Sequence, residues 1–118
     1  MDKLERYRES IKKILKEYAD YMKNSDIDVQ LIFDNENDHY LLLDVGWQKS
    51  RRVHSCALHF DIIDGKIWVQ ENNTELEIEL TSQRLRYRDL EEMGISKKEI
   101  VVGFHHPSMR EYSDYAVS

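Results

Sequence analysis

The sequence is short of the residues that staple, break or anchor a chain. A single cysteine, Cys56, stands among 118 residues. It cannot close an internal disulfide, and a chain of this size needs neither a disulfide nor a metal staple to form a modest core. A lone thiol predicts a reducing, cytoplasmic setting. One proline and four glycines leave few breakers, so one regular domain over residues 1–118 is expected, without a linker. No apolar run reaches 18 residues, which predicts no membrane-spanning helix. The opening MDKLERYRES is charged and lacks the apolar centre of a secretory signal. Positive charge is also in deficit: 17 basic residues face 23 acidic ones, a net charge of −6. That balance favours solubility and disfavours the phosphate attraction behind most nucleic-acid binding. There is no internal repeat and no low-complexity tract.

What is present is strong periodicity. Leu4, Tyr7, Ile11, Ile14, Leu15, Tyr18 and Met22 recur at intervals of three and four, which predicts an amphipathic helix over 2–23. Ile27, Val29, Leu31 and Phe33 alternate with polar residues, the mark of a half-buried strand. After a polar loop over 34–38, a second strand is predicted from Tyr40 to Trp47, and a third from Val53 to Ile63. Asp64-Gly65 is a strong hairpin signal, returning the chain as a fourth strand from Lys66 to Gln70. The connections are too short for parallel crossovers, so these four form an antiparallel meander. A second helix is read over Ser82 to Met93, although Leu76, Ile78 and Leu80 also suit a short strand. Gly94 fits its stop, with Ile95 closing over the last turn. Ser96-Lys97-Lys98-Glu99 has capping-box spacing. A short final strand, Ile100 to Phe104, and a turn at Pro107 complete an α+β fold.

The strand from Val53 to Ile63 carries the chemistry-bearing residues. Strict alternation puts His54, Cys56, Leu58 and Phe60 on one face and Ala57, His59 and Asp61 on the other. On that reading His54, Cys56, His59, Asp61, His105 and His106 do not converge as metal ligands, and no HExxH or CxxC spacing occurs. No metal and no cofactor are therefore expected. Cys56 reads as a small core residue rather than a nucleophile, having no helix N-terminus to lower its pKa. Asp44 and Asp61 lie inside strands and need partners, for which Arg51 or Arg52 is the candidate. Lys49, Arg51 and Arg52 form one basic cluster beside Trp47, and Arg84, Arg86 and Arg88 another beside Tyr87; surrounding carboxylates argue for solvated ion pairs over direct DNA contact. Trp47 and Trp68, placed on neighbouring strands with Tyr40 nearby, suggest a protein-contact surface. An exposed edge strand is compatible with a homodimer.

The run DVGWQKSRRVHSCALHFDIIDGKIWVQENNTE, Asp44 to Glu75, resembles the XisI family of fdxN-element excision controlling factors. So does GISKKEIVVGFHHPSMREYSDYAVS, Gly94 to Ser118, and YRESIKKILKEYA, Tyr7 to Ala19, suits the family's N-terminal helix. The shared motifs are Val-Gly-Trp, Arg-Val-His-x-Cys, Leu-His-x-Asp-Ile, Asp-Gly-Lys-Ile-Trp, Asn-Thr-Glu and Val-x-Gly-Phe-His-x-Pro. Between Glu75 and Met93 the chain is longer and richer in charge than the family pattern, and Asn73 replaces a usual glycine. The resemblance implies an α+β fold with a meander sheet. It implies control of the excision of a DNA element by a separate site-specific recombinase, alongside a companion factor of the XisH kind. It transfers no catalytic residue. The motif residues Trp47, Arg52, His54, His59, Asp61, Trp68, Glu75, His105 and Pro107 are the candidates for an interaction site. Two other readings remain: a small metal-independent hydrolase or nuclease-like enzyme using His54, His59 and His105 with Asp61, and a direct DNA-binding accessory factor.

Overall fold

The computed structural model describes residues 2–23, 26–73 and 89–118. Helix α1 spans Lys3–Met22. Its start is fixed by Asp2, whose side chain accepts from the Glu5 backbone N–H at 2.8 Å. Tyr7, Ile11, Ile14, Leu15 and Tyr18 are each at most 1% exposed and form the stripe that packs on the sheet. Burying five such side chains is worth on the order of 10 kcal/mol before ordering entropy, so packing rather than helix propensity holds α1 in place.

Five strands follow in spatial order β1 to β5: β1 Ile27–Asp34, β2 His39–Gln48, β3 Arg51–Ile63, β4 Lys66–Asn72 and β5 Ile100–Val102. The first four are the expected antiparallel meander. The β3–β4 turn has both Asp64 (φ +50°) and Gly65 (φ +75°) left-handed, the geometry that the Asp-Gly pair favours. The final strand extends the sheet in the parallel sense, Ile67 opposite Ile100 and Val69 opposite Val102. A parallel neighbour requires a long crossover, and the chain from Asn73 to Glu99 supplies it. Within it only the end of the expected second helix is described, as α2, Asp89–Glu92. The strand alternative at Leu76 to Leu80, the rest of that helix from Ser82, Arg84, Arg86, Arg88 and Tyr87 lie outside the described residues.

The stop at Gly94 has the expected form. Gly94 has φ +88°, its N–H donates to the Glu91 carbonyl, and Ile95 N–H donates to the Leu90 carbonyl, both at 3.0 Å. Leu90 and Ile95 are buried together in the core. The capping box also forms: Ser96 accepts from Lys98 N–H, and Glu99 accepts from Ser96 N–H at 2.8 Å around the 3-10 turn Lys97–Glu99. Glu99 further accepts from the Tyr7 hydroxyl at 2.5 Å, tying this turn to α1. Helix α3, Pro107–Arg110, has proline at its first position and His106 as its cap.

One irregularity overturns the face assignment of β3. Leu43 stands opposite Cys56 but Leu42 stands opposite Leu58, so Ala57 is an extra residue, a β-bulge. Its carbonyl is not lost, since it accepts from Asn73 N–H at 2.7 Å. Cross-strand partners share a face. Val53 and Ser55 therefore lie on the α1 side before the bulge, and Leu58 and Phe60 after it. His54, Cys56, His59 and Asp61 lie together on the far side. Strict alternation had separated His54 and Cys56 from His59 and Asp61.

The far face is covered at its β4–β5 end by the C-terminal segment. Arg110 lies over the Trp68 ring at 5.1 Å on that face, Ala116 pairs with Val101 along the edge of β5, and Tyr115 packs against the core and donates to Glu91 of α2 at 2.6 Å. Gly103, directly after β5, donates its N–H to the Val69 carbonyl at 2.8 Å and lies close against β4. A Cβ there would stand 2.6 Å from Gln70 Oε1 and 3.1 Å from the Val69 carbonyl oxygen. Gly103→Ala is thus expected to push the tail outward and cost about 1–3 kcal/mol of stability, read by urea unfolding. A variant as stable as the native chain would show that the approach has slack.

Candidate functional site

At the far face, β2, β3 and β4 bring four polar side chains to one point. Asp61 is 6% exposed, lies opposite His39 on β2 and shares its strand face with His59. His39 Nδ1 and His59 Nε2 each stand 2.7 Å from Asp61 Oδ1. A carboxylate only accepts, so these two ring nitrogens carry the protons. Gln70 Nε2 donates to Oδ2 at 3.2 Å. Gln70 can reach there because β4 has its own register shift, His59 facing Glu71 and Phe60 facing Val69, which leaves Gln70 as the additional residue. The His39 pKa is raised, first by its hydrogen bond to Asp61 and then by the charge of that carboxylate, with Asp34 and Asp38 adding to it. The gain in stability is therefore complete below the ordinary histidine pKa and is lost as the pH rises through the elevated one. It is small, since the His39 side chain is 49% exposed.

This arrangement corrects the expected ion pairs. Asp61 is held by His39, His59 and Gln70, not by Arg51 or Arg52. Arg51 bonds to Gln48, and Arg52 lies over the exposed Trp47 ring at 5.3 Å, a cation–π contact. Asp44 is buried, facing α1. The two tryptophans are not neighbours either: Trp47 pairs with Arg52 and Trp68 with Asp61 on opposite sides of β3. Tyr40 is fully buried in the core rather than beside them.

The other motif residues are dispersed. His54 is exposed and stands five positions before His59, roughly 15 Å along the strand. His105 packs edge-on against Phe104 at 4.9 Å between ring centroids. His106 accepts from Ser108 N–H as the cap of α3. The convergence of His54, His59, His105 and Asp61 that an acid–base enzyme would need is therefore not formed: only His59 and Asp61 meet. Glu75 lies outside the described residues. Cys56 is half-buried, donates to the Leu58 carbonyl at 3.3 Å, and has its pKa raised by burial and then by Glu71, so it stays a thiol. The residue that sequence reasoning missed is His39. Its signal is register: counting back from the β2–β3 turn places it beside Asp61 only once the bulge is known.

A second surface lies at the C-terminal segment. Phe104, Met109 and Tyr112 are exposed and, with His105, His106 and Ser113, line an open recess. Among the described residues no helix is long and apolar enough to cross a membrane.

The XisI protein family's sequence profile matches residues 1–117. No curated protein matches the chain. Among solved structures, a XisI-like protein from Anabaena variabilis ATCC 29413 is 41% identical. That match covers 98% of this chain and 99% of the other, with a TM-score of 0.83. The fdxN element excision controlling factor XisI from the same organism is 35% identical, with 99% and 100% covered and a TM-score of 0.80.

Proposed function

The chain belongs to the XisI family, and from that premise we propose that it is a cytoplasmic regulatory factor, not an enzyme, that controls excision of a DNA element. It acts by contact with a companion protein of the XisH kind and, with it, on a separate recombinase. The observation that carries the protein-contact reading is the recess of the C-terminal segment. Its aromatic and histidine lining begins in the shared Val-x-Gly-Phe-His-x-Pro motif. Tyr112 is 76% exposed and Met109 56%, and exposed apolar groups clustered round a recess mark a contact surface. Trp47 with Arg52, at the far end of β2 and β3, is the second cluster available to the recombinase.

Among the described residues nothing in this surface favours direct DNA contact. Arg51 and Arg52 are engaged by Gln48 and Trp47, and the net charge is −6.

Co-expression with the XisH-like companion of the same organism tests the reading. The tagged chain is expected to recover the companion at near-equal stoichiometry, and Met109→Asp with Tyr112→Asp to reduce that recovery at least tenfold. Failure of the native chain to retain the companion would overturn the reading. Retention by the double variant would move the contact elsewhere on the surface.

A further inference from the structure

We propose that His39, His59 and Asp61 form a binding site for a divalent first-row transition ion of the zinc type. This goes beyond the excision-control reading and stands independently of it. Three observations on the far face support it.

The first is convergence. One donor atom from each residue lies within 4.8 Å of the others, and both imidazole nitrogens already point at the same carboxylate oxygen at 2.7 Å. Four-coordinate zinc holds ligands at roughly 2 Å, which sets them about 3.4 Å apart. The two nitrogen–oxygen contacts must open from 2.7 Å to about that spacing, and the two nitrogens, within 4.8 Å of each other, must settle to it as well. His39 stands at the start of β2 with half its side chain in solvent, so it has room to move.

The second is support from the surrounding residues. Gln70 occupies Asp61 Oδ2 and leaves Oδ1 to serve as a single donor, the kind of outer contact that orients a metal ligand. Asp61 is nearly buried and fixed by its strand, whereas its two partners remain reachable from solvent.

The third is charge and donor type. Asp34 and Asp38 act on His39, and Glu71 stands opposite His59, so the local field favours a cation. Two nitrogens and one oxygen suit zinc, cobalt or nickel and not calcium or magnesium, which prefer oxygen alone. Each neutral imidazole binds by moving its proton to the ring nitrogen that faces away, so the rings need not ionise. Three protein ligands leave at least one coordination position open to water or to a donor from another molecule.

Calorimetric titration of the full chain with zinc chloride at neutral pH tests this. One saturable equivalent is expected, with magnesium chloride in large excess failing to compete. His39→Ala and His59→Ala, both at solvent-reachable positions, are each expected to weaken zinc binding at least tenfold while leaving the fold intact by circular dichroism. Gln70→Ala is expected to weaken it by about tenfold. Absence of a saturable equivalent would overturn the site. So would binding that neither histidine variant alters, since the ion would then be held elsewhere.

Discussion

Deleting Ala57 is expected to leave the fold standing at a cost of about 1–3 kcal/mol, and Ala57→Gly, which keeps the residue count, to cost about 1 kcal/mol. Ala57 is the residue that makes β3 one longer than β2 between Leu42 and Leu43. Without it Cys56 and Leu58 become consecutive opposite Leu43 and Leu42, and ordinary alternation keeps Cys56 on the far face and Leu58 on the α1 side. Leu58 and Phe60 therefore stay in the core, where both are fully buried. What is lost is the burial of Ala57 itself, the bond its carbonyl accepts from Asn73 N–H at 2.7 Å, and the local twist of the bulge. Circular dichroism and urea unfolding of the two variants decide it. A deletion variant that fails to fold would show that the bulge geometry, and not only the residue count, holds β3 in place.

Tyr40→Ala is expected to cost about 3–5 kcal/mol and Tyr40→Phe about 1 kcal/mol, a split that separates the ring from its hydroxyl. The ring is completely buried, packed beside Phe33 at 6.0 Å between centroids and opposite Phe60. Its hydroxyl donates to Asp38 Oδ1 at 2.8 Å, and Arg8 donates to the same carboxylate at 2.7 and 3.2 Å. Asp38 holds a left-handed backbone, φ +58°, so this group pins α1 to the β1–β2 turn. The Asp38 carboxyl is held below the usual aspartate range, first by the Arg8 hydrogen bond and despite partial burial. A depressed folded pKa gives stability that is present above the unfolded value and lost as the pH falls through the folded one. The Tyr40→Phe deficit should therefore narrow in acid, below the ordinary aspartate range. Denaturant unfolding at neutral pH and in acid measures both. Equal losses for the two variants, or a deficit that grows on acidification, would contradict this account.

The parts of the fold legible in the sequence are those written in local chemistry. The stripe from Tyr7 to Tyr18, the Asp64-Gly65 turn, the Gly94 stop and the Ser96 to Glu99 box each require only a few neighbouring residues, and each stands where it is expected. Two things were not legible. The parallel sense of β5 depends on a long crossover, and no residue of Ile100-Val101-Val102 encodes a direction. The β3 bulge has no glycine or proline to announce it, since Ala57 is as ordinary in a strand as in a bulge. The site inherited that second difficulty. Alternation puts His59 and Asp61, two apart on one strand, on one face, where the structure has them in contact. It does not link His39 to them, because without the bulge His39 stands opposite Phe60. His54 and His105 carried motif resemblance but no convergence, since one is a strand length away and the other lies past the end of β5.

A strand has only two sides, so the additional residue at Ala57 works as a parity bit. Everything toward Ile63 is read in one phase and everything toward Arg51 in the other. Changes in length near the Lys49-Ser50 tip that add or remove matched pairs on both strands leave that phase intact, however long the hairpin grows. Removing one residue of β3 between Ser55 and Leu58 takes the bulge out and makes the count uniform from Arg51 to Ile63, with Ser55 and Leu58 keeping their present sides. Matched length, more than size, sets which insertions this hairpin can absorb.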